Sequence, residues 1–177
     1  EGVANRLEGA HRPGHFRGVT TVVAKLLNLA GPCVAAFGRK DYQQWRTLAR
    51  MVRDLDMPIE VVGSKIVRDP DGLALSSRNR YLSAPDRARA LGLVSGLRSA
   101  WDAWRAGERS AAELLRGASE PIRQSFDRVD YVALADVDHL GPLEGPLPPR
   151  VLLAAAAHLG STRLIDNVVL GEDPRPG

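Results

Sequence analysis

Cysteine is almost absent. Cys33 stands alone among 177 residues, so no internal disulfide and no cysteine-rich zinc cluster can form. That suits a reducing compartment, and the expectation is a cytoplasmic protein. Aromatic residues make up only 5% of the chain, too few for a platform that stacks unpaired bases. Neither sign of charge dominates: 24 basic against 21 acidic side chains leave +3, spread along the chain. A pI near 9.4 restates that small arginine excess and gives no footprint for nucleic acid. Long apolar runs are missing too. The longest, Val151 to Ala157, is far short of the roughly 20 residues that span a bilayer. No membrane partner and no signal peptide are expected.

What is present is an ordinary globular composition, 44% apolar and 25% charged, enough for one domain or two small ones. Glu1 to Asn5 neither cap nor begin an element, and a piece of a longer protein is expected. Residues 6–18 are dense in Gly, His and Arg and read as a loop. There His11, Arg12, His15 and Arg17 either face an anion or serve structure. Apolar positions Val19, Val22, Val23, Leu26, Leu27 and Leu29 mark one helix face, closed by Gly31-Pro32. A strand over 33–37, a helix over 41–56 and a strand over 59–62 follow. This alternation favours a parallel sheet, of which two strands are only a part. From about residue 66 the pattern changes. Ser83 and Ser110 are N-caps of two helices, the first carrying Trp101 and Trp104 as core residues. Strands over 129–135, 151–157 and 163–170 then form an antiparallel unit, and the tail from Gly171 is expected to be disordered.

Two polar clusters carry the chemistry. Phe37-Gly-Arg-Lys-Asp-Tyr-Gln-Gln44 sits where a strand ends and a helix begins, the edge at which α/β sheets bind ligands. Free N–H groups at the helix start and a nearby lysine suit a phosphate or carboxylate. Taken alone, the segment reads more readily as a solvated Lys40 and an ordinary N-cap at Asp41. The second cluster, Ser76-Ser77-Arg78-Asn79, follows the turn Asp69-Pro70-Asp71-Gly72. A Ser-Ser turn can cradle phosphate oxygens and an arginine can fork onto them, although taken alone the cluster reads as a capped turn with a solvated arginine.

Four segments, in order, carry a resemblance: Arg12-Pro-Gly-His-Phe-Arg-Gly-Val19, the octet 37–44, Val67 to Leu82, and Leu159-Gly-Ser-Thr-Arg-Leu-Ile-Asp-Asn167. Together they resemble the C-terminal two-thirds of the pantothenate synthetase (pantoate–β-alanine ligase) family. The resemblance implies an α/β fold: a partial Rossmann-like, nucleotidylyltransferase-type parallel sheet in 1–65, then a small α+β lid domain with antiparallel strands in 66–171 and a tail over 172–177. It implies adenylation of pantoate by ATP with Mg²⁺, then attack by β-alanine to give pantothenate, AMP and pyrophosphate. It also implies a homodimer for the full-length form. By position, Gly38, Arg39, Lys40 and Asp41 match the first ATP-binding segment. Val67 matches an adenine contact, and Leu75, Ser76, Ser77 and Arg78 the second ATP-binding segment. Gln44 matches the pantoate-binding glutamine, and Val22 and Val23 the wall beside pantoate's methyl groups. Lys40 and Arg78 would offset the repulsion between two anionic substrates, with no protein nucleophile needed. That role requires them to converge on one triphosphate.

Two departures stand out. Position 39 is Arg where the family usually has Glu. The family segment with paired histidines and a further pantoate-binding glutamine has no counterpart here, and His11 and His15 do not replace it. The alternative is a non-catalytic nucleotide-binding module of the same fold. A nucleic-acid-binding α/β protein is the third reading, disfavoured by dispersed charge.

Overall fold

The computed structural model describes residues 2–143 and 145–177. They divide into two units, Glu1–Ile66 with Asp138–Gly141, and Val67–Val137 with Pro142–Gly177. In the first unit the segment expected to be a loop is largely helical. A short helix α1 (Glu8–His11) forms, and α2 (His15–Ala30) starts already at His15. The turn at Pro13-Gly14 is confined to two or three residues, because Gly14 takes a left-handed conformation, φ 77°, directly at the helix start. Phe16 is then free to bury itself. Gln43 ties this N-terminal stretch down. Its Nε2 donates to the Val3 and Arg6 carbonyls at 2.6 and 2.7 Å, and its Oε1 accepts from Glu8 N–H at 2.9 Å.

Strand β1 (Cys33–Gly38) pairs in parallel with β2 (Ile59–Ser64), in register from Cys33 opposite Ile59 to Gly38 opposite Ser64. The crossover between them is α3 (Tyr42–Asp54), as parallel strands require. Tyr42, Gln43, Thr47, Leu48 and Val52 form its buried face. On α2 the apolar spacing gives the helix, but Phe16 and Leu27 are its only buried residues. Val22, Leu26 and Leu29 are exposed, since two strands offer little surface to cover a helix face.

In the second unit, α4 (Ala84–Arg105) and α5 (Ala111–Ser125) pack on an antiparallel sheet ordered β3 (Arg128–Ala135), β4 (Val151–Leu159), β5 (Thr162–Leu170). Ser83 and Ser110 cap the two helices through their side-chain oxygens. Leu97, Ala100, Trp104, Leu114, Val151, Leu153 and Val168 share one core cluster. The helices meet closely at Gly96, where a Cβ would run into the Ala118 carbonyl and the Ile122 side chain. The tail is not loose. Trp101 Nε1 donates to the Asp173 carbonyl at 3.0 Å, Arg98 Nε to the Pro176 carbonyl at 2.6 Å, and Arg175 grips Asp102 with two bonds of 2.7 Å. Polar anchors of this kind are invisible to a composition-based disorder reading. Among the described residues no helix is long and apolar enough to cross a membrane.

Candidate functional site

The first cluster lies at the C-terminal end of β1. Gly38 is the last strand residue, Arg39–Asp41 form a single 3-10 turn, and α3 starts at Tyr42. Lys40 is half-buried in that turn. Asp41 occupies the N-cap position of α3, yet its side chain makes no capping hydrogen bond and is exposed. Its carboxylate is therefore not used as an ordinary cap. Gln44 is half-buried one position beyond the structural Gln43. Arg39 lies beside an aromatic pair, its guanidinium 5.8 Å from the Tyr42 ring centre and 5.7 Å from that of Trp45. Val22 and Val23 sit mid-way along α2, Val22 53% exposed and Val23 half-buried. His15 accepts a hydrogen bond from Arg12 at 3.0 Å.

The second cluster is the end of a small hairpin. Leu75 N–H donates to the Val67 carbonyl at 2.9 Å and Asp69 N–H to the Leu73 carbonyl at 2.8 Å, so residues 67 and 75 stand side by side. Both carry large apolar side chains in the open, Val67 at 65% and Leu75 at 55% exposure. The chain then enters a 3-10 turn, Ser77–Tyr81, capped by Ser76, whose Oγ accepts from Arg78 N–H at 3.2 Å. Ser77 and Arg78 are exposed. The other arginines of this unit's front edge have partners. Arg68 forks onto Asp166, Arg87 onto Asp69 and Asp71, and Arg80 lies over Tyr81. The Arg78 guanidinium has no ion pair among the described residues.

The hairpin under this cluster is fixed from two sides. Arg68 Nη1 and Nη2 donate to Asp166 of β5 at 2.7 and 3.0 Å, and Nη1 also to the Gly72 carbonyl at 3.1 Å. From α4, Arg87 reaches Asp69 at 2.9 Å and Asp71 at 2.8 Å. Partial burial works to raise the Asp71 carboxyl, but the Leu73 N–H and the Arg87 guanidinium outweigh it and hold it below its ordinary value. Reading the sequence missed Arg68, Arg87 and Asp166 as supports. Asp166 lies inside a segment that carried the family resemblance, yet nothing local pairs it with a residue 98 positions away.

The structure thus gathers Gly38, Arg39, Lys40, Asp41 and Gln44 at one strand end of the first unit. It gathers Val67, Leu75, Ser76, Ser77 and Arg78 on one hairpin and turn of the second. Each group carries a cationic side chain and polar hydrogens, which an anionic ligand needs, and in the first the Asp41 carboxylate is next to Lys40 in sequence.

An α/β chain with a parallel pair in one unit and an antiparallel three-stranded sheet in the other is also what known structures show. Pantothenate synthetase from Thermus thermophilus superposes with a TM-score of 0.90 at 44% identity, over 95% of this chain and 60% of that one. A pantoate–β-alanine ligase from Francisella tularensis, complexed with beta-gamma ATP and β-alanine, matches with a TM-score of 0.66 at 31% identity. The pantoate–β-alanine ligase family model matches residues 1–169, and the chain belongs to that family. Among curated relatives, the pantothenate synthetases of Magnetococcus marinus and Moorella thermoacetica are 53% and 54% identical over 98% and 96% of this chain. The chain spans 60% of the length of each.

Proposed function

We propose that this chain is the nucleotide- and pantoate-binding part of a cytoplasmic ligase that joins pantoate to β-alanine at the expense of ATP. The observation that carries the reading is Arg78: exposed, unpaired among the described residues and set on a rigid turn, while the arginines around it are engaged. The Francisella relative's complex with a nucleotide and β-alanine supports the same substrates. On this reading Lys40 and Arg78 are each phosphate-binding cations for ATP, and Gly38, Asp41, Ser76 and Ser77 are the further ATP-binding positions of their two segments. The backbone of Arg39 continues the first segment, and Val67 and Leu75 cover the adenosine. Gln44, Val22 and Val23 hold pantoate, and the unit from residue 66 to 171 acts as a lid.

The chemistry then needs no protein nucleophile. A pantoate carboxylate oxygen bonds to the α-phosphorus, the bond from that phosphorus to the bridging oxygen breaks, and pyrophosphate leaves. The β-alanine amine next attacks the acyl carbon of the pantoyl adenylate, loses a proton, and AMP departs. Charge gathers on the α-phosphate oxygens in the first step, and fixed cations there lower the barrier. Aligning the two substrates supplies much of the rest. Among the described residues no three His, Cys, Asp or Glu side chains gather as a metal cage. A Mg²⁺ carried by the phosphates needs at most one or two protein carboxylates, and the exposed, uncapped carboxylate of Asp41 would be one of them. Bound Mg²⁺ would neutralise phosphate charge.

The 177 residues by themselves are expected to turn over little, because they contain no counterpart of the family's paired-histidine segment. The longer form is expected to be a homodimer. The test is calorimetric titration of the chain with ATP and Mg²⁺. Losing a charged hydrogen bond at Lys40→Ala or Arg78→Ala should weaken binding about ten- to hundred-fold. Failure of the unmodified chain to bind ATP, or variants that both bind it as tightly as the unmodified chain, would overturn the reading.

A further inference from the structure

Arg39 opens the 3-10 turn that carries Lys40, and the structure shows where its side chain goes. Its Cζ lies 5.8 Å from the centre of the Tyr42 ring and 5.7 Å from that of Trp45. The two rings meet edge to face at 5.2 Å and 86°, the preferred arrangement for aromatic pairs. Arg46 covers Trp45 as well, at 5.1 Å. Beneath them β2 has Gly63. A Cβ there would meet the Trp45 ring at 2.7 Å and the Arg39 Cγ at 3.0 Å. The missing side chain leaves the space into which the arginine stem and the indole pack. Trp45 Nε1 is buried without a hydrogen-bond partner, so packing and the facing cations hold that ring, not polar bonds.

We infer that Arg39 is a positioning residue for Lys40: it clamps the turn 39–41 between Gly63 and the Tyr42–Trp45 pair, and it is not itself a phosphate ligand. The physical reason is that a single 3-10 turn is short and poorly held by its own hydrogen bonds. An anchor at its first residue fixes the direction of its second. A guanidinium suits this, because it stacks flat on rings and is less strongly hydrated than an ammonium. The inference rests on the proposed ATP site for its consequence, whereas the clamp itself rests on the packing around Arg39.

Two measurements on the full chain separate these. Without nucleotide, amide hydrogen exchange at Lys40, Asp41 and Tyr42 should quicken about tenfold in Arg39→Ala and in Trp45→Leu, the double variant being no faster than either. Arg39→Met keeps an unbranched, polarizable stem over the rings and should stay near the unmodified rate. Calorimetric affinity for ATP with Mg²⁺ should follow the same order, with Arg39→Met within about threefold of the unmodified chain. Unchanged exchange in Arg39→Ala overturns the inference. So does an Arg39→Met variant that binds ATP as poorly as Arg39→Ala while its turn stays protected, since that marks a direct phosphate contact. If the unmodified chain binds no ATP, the ligase reading falls, and the exchange data alone uphold or sink the clamp.

Discussion

Arg68 and Asp166 close a two-pronged ion pair across 98 positions of sequence, with side chains only 13% and 2% exposed. It joins the hairpin that carries Val67, Leu75 and the Ser76–Arg78 turn to strand β5. Removing one partner strands a buried charge, which typically costs about 3–5 kcal/mol. Asp166→Asn and Arg68→Met should each lower stability by about that much in urea unfolding. The double change Arg68→Met with Asp166→Leu should recover most of the loss, because two apolar groups strand no charge. If the single variants unfold like the unmodified chain, the pair is not a structural tie.

Gln43 and Gln44 are neighbours to which the proposed site gives opposite duties. Gln43 is 5% exposed and makes three hydrogen bonds to residues 3–8. Gln43→Ala should destabilise by about 2 kcal/mol, since residues 3–8 can peel away and rewet their freed groups. Gln44→Ala should leave the melting curve within about 0.5 kcal/mol and weaken pantoate binding instead. Thermal melts of both, beside pantoate titrations, distinguish the two roles.

Gly96 sets helix against steric crowding. Alanine would favour the helix by about 0.5–1 kcal/mol. But its methyl would press on the Ala118 carbonyl and the Ile122 side chain, and overpacking costs about 1–3 kcal/mol. The second effect wins at a close backbone approach, so Gly96→Ala should melt lower. A rise in melting temperature would contradict the described approach of α4 and α5.

Acid should weaken the second unit through Asp130. Burial tends to raise this carboxyl, but Arg163, whose Nε donates at 2.7 Å, and His158, at 3.1 Å, outweigh it and hold it below its ordinary 3.8. A carboxylate whose value is depressed on folding stabilises fully above its unfolded value, and that contribution fades as the pH falls through the folded one. The urea midpoint should therefore drop between about pH 5 and pH 2. Asp130→Asn should flatten that part of the profile, and an unchanged acid limb would show that the carboxylate is not responsible.

Local chemistry made much of this legible. The Ser83 and Ser110 caps, the Gly31-Pro32 stop and the alternation of short apolar runs with helical spacing gave the helices and strands nearly to their observed ends, and the change near residue 66 gave the switch to antiparallel pairing. The loop expected over residues 6–18 turned out helical because the density of Gly and His there hid a turn only two or three residues wide. The tail's order was illegible for another reason: Arg175 and Asp102, like Arg68 and Asp166, are ordinary surface-type residues until the fold brings them together. Residue type and order marked the two clusters of the proposed site. What holds them still, namely Gln43, Arg87 and the aromatic pair beside Arg39, depends on contacts that no local pattern encodes.

The docking of residues 173–176 along α4 has a practical side. A dye or affinity handle attached at Gly177 would be steered by Arg98 and would tumble with helix α4 instead of sweeping freely. Its anisotropy is therefore a gauge of that helix's integrity, and immobilisation through the same end calls for a spacer several residues long.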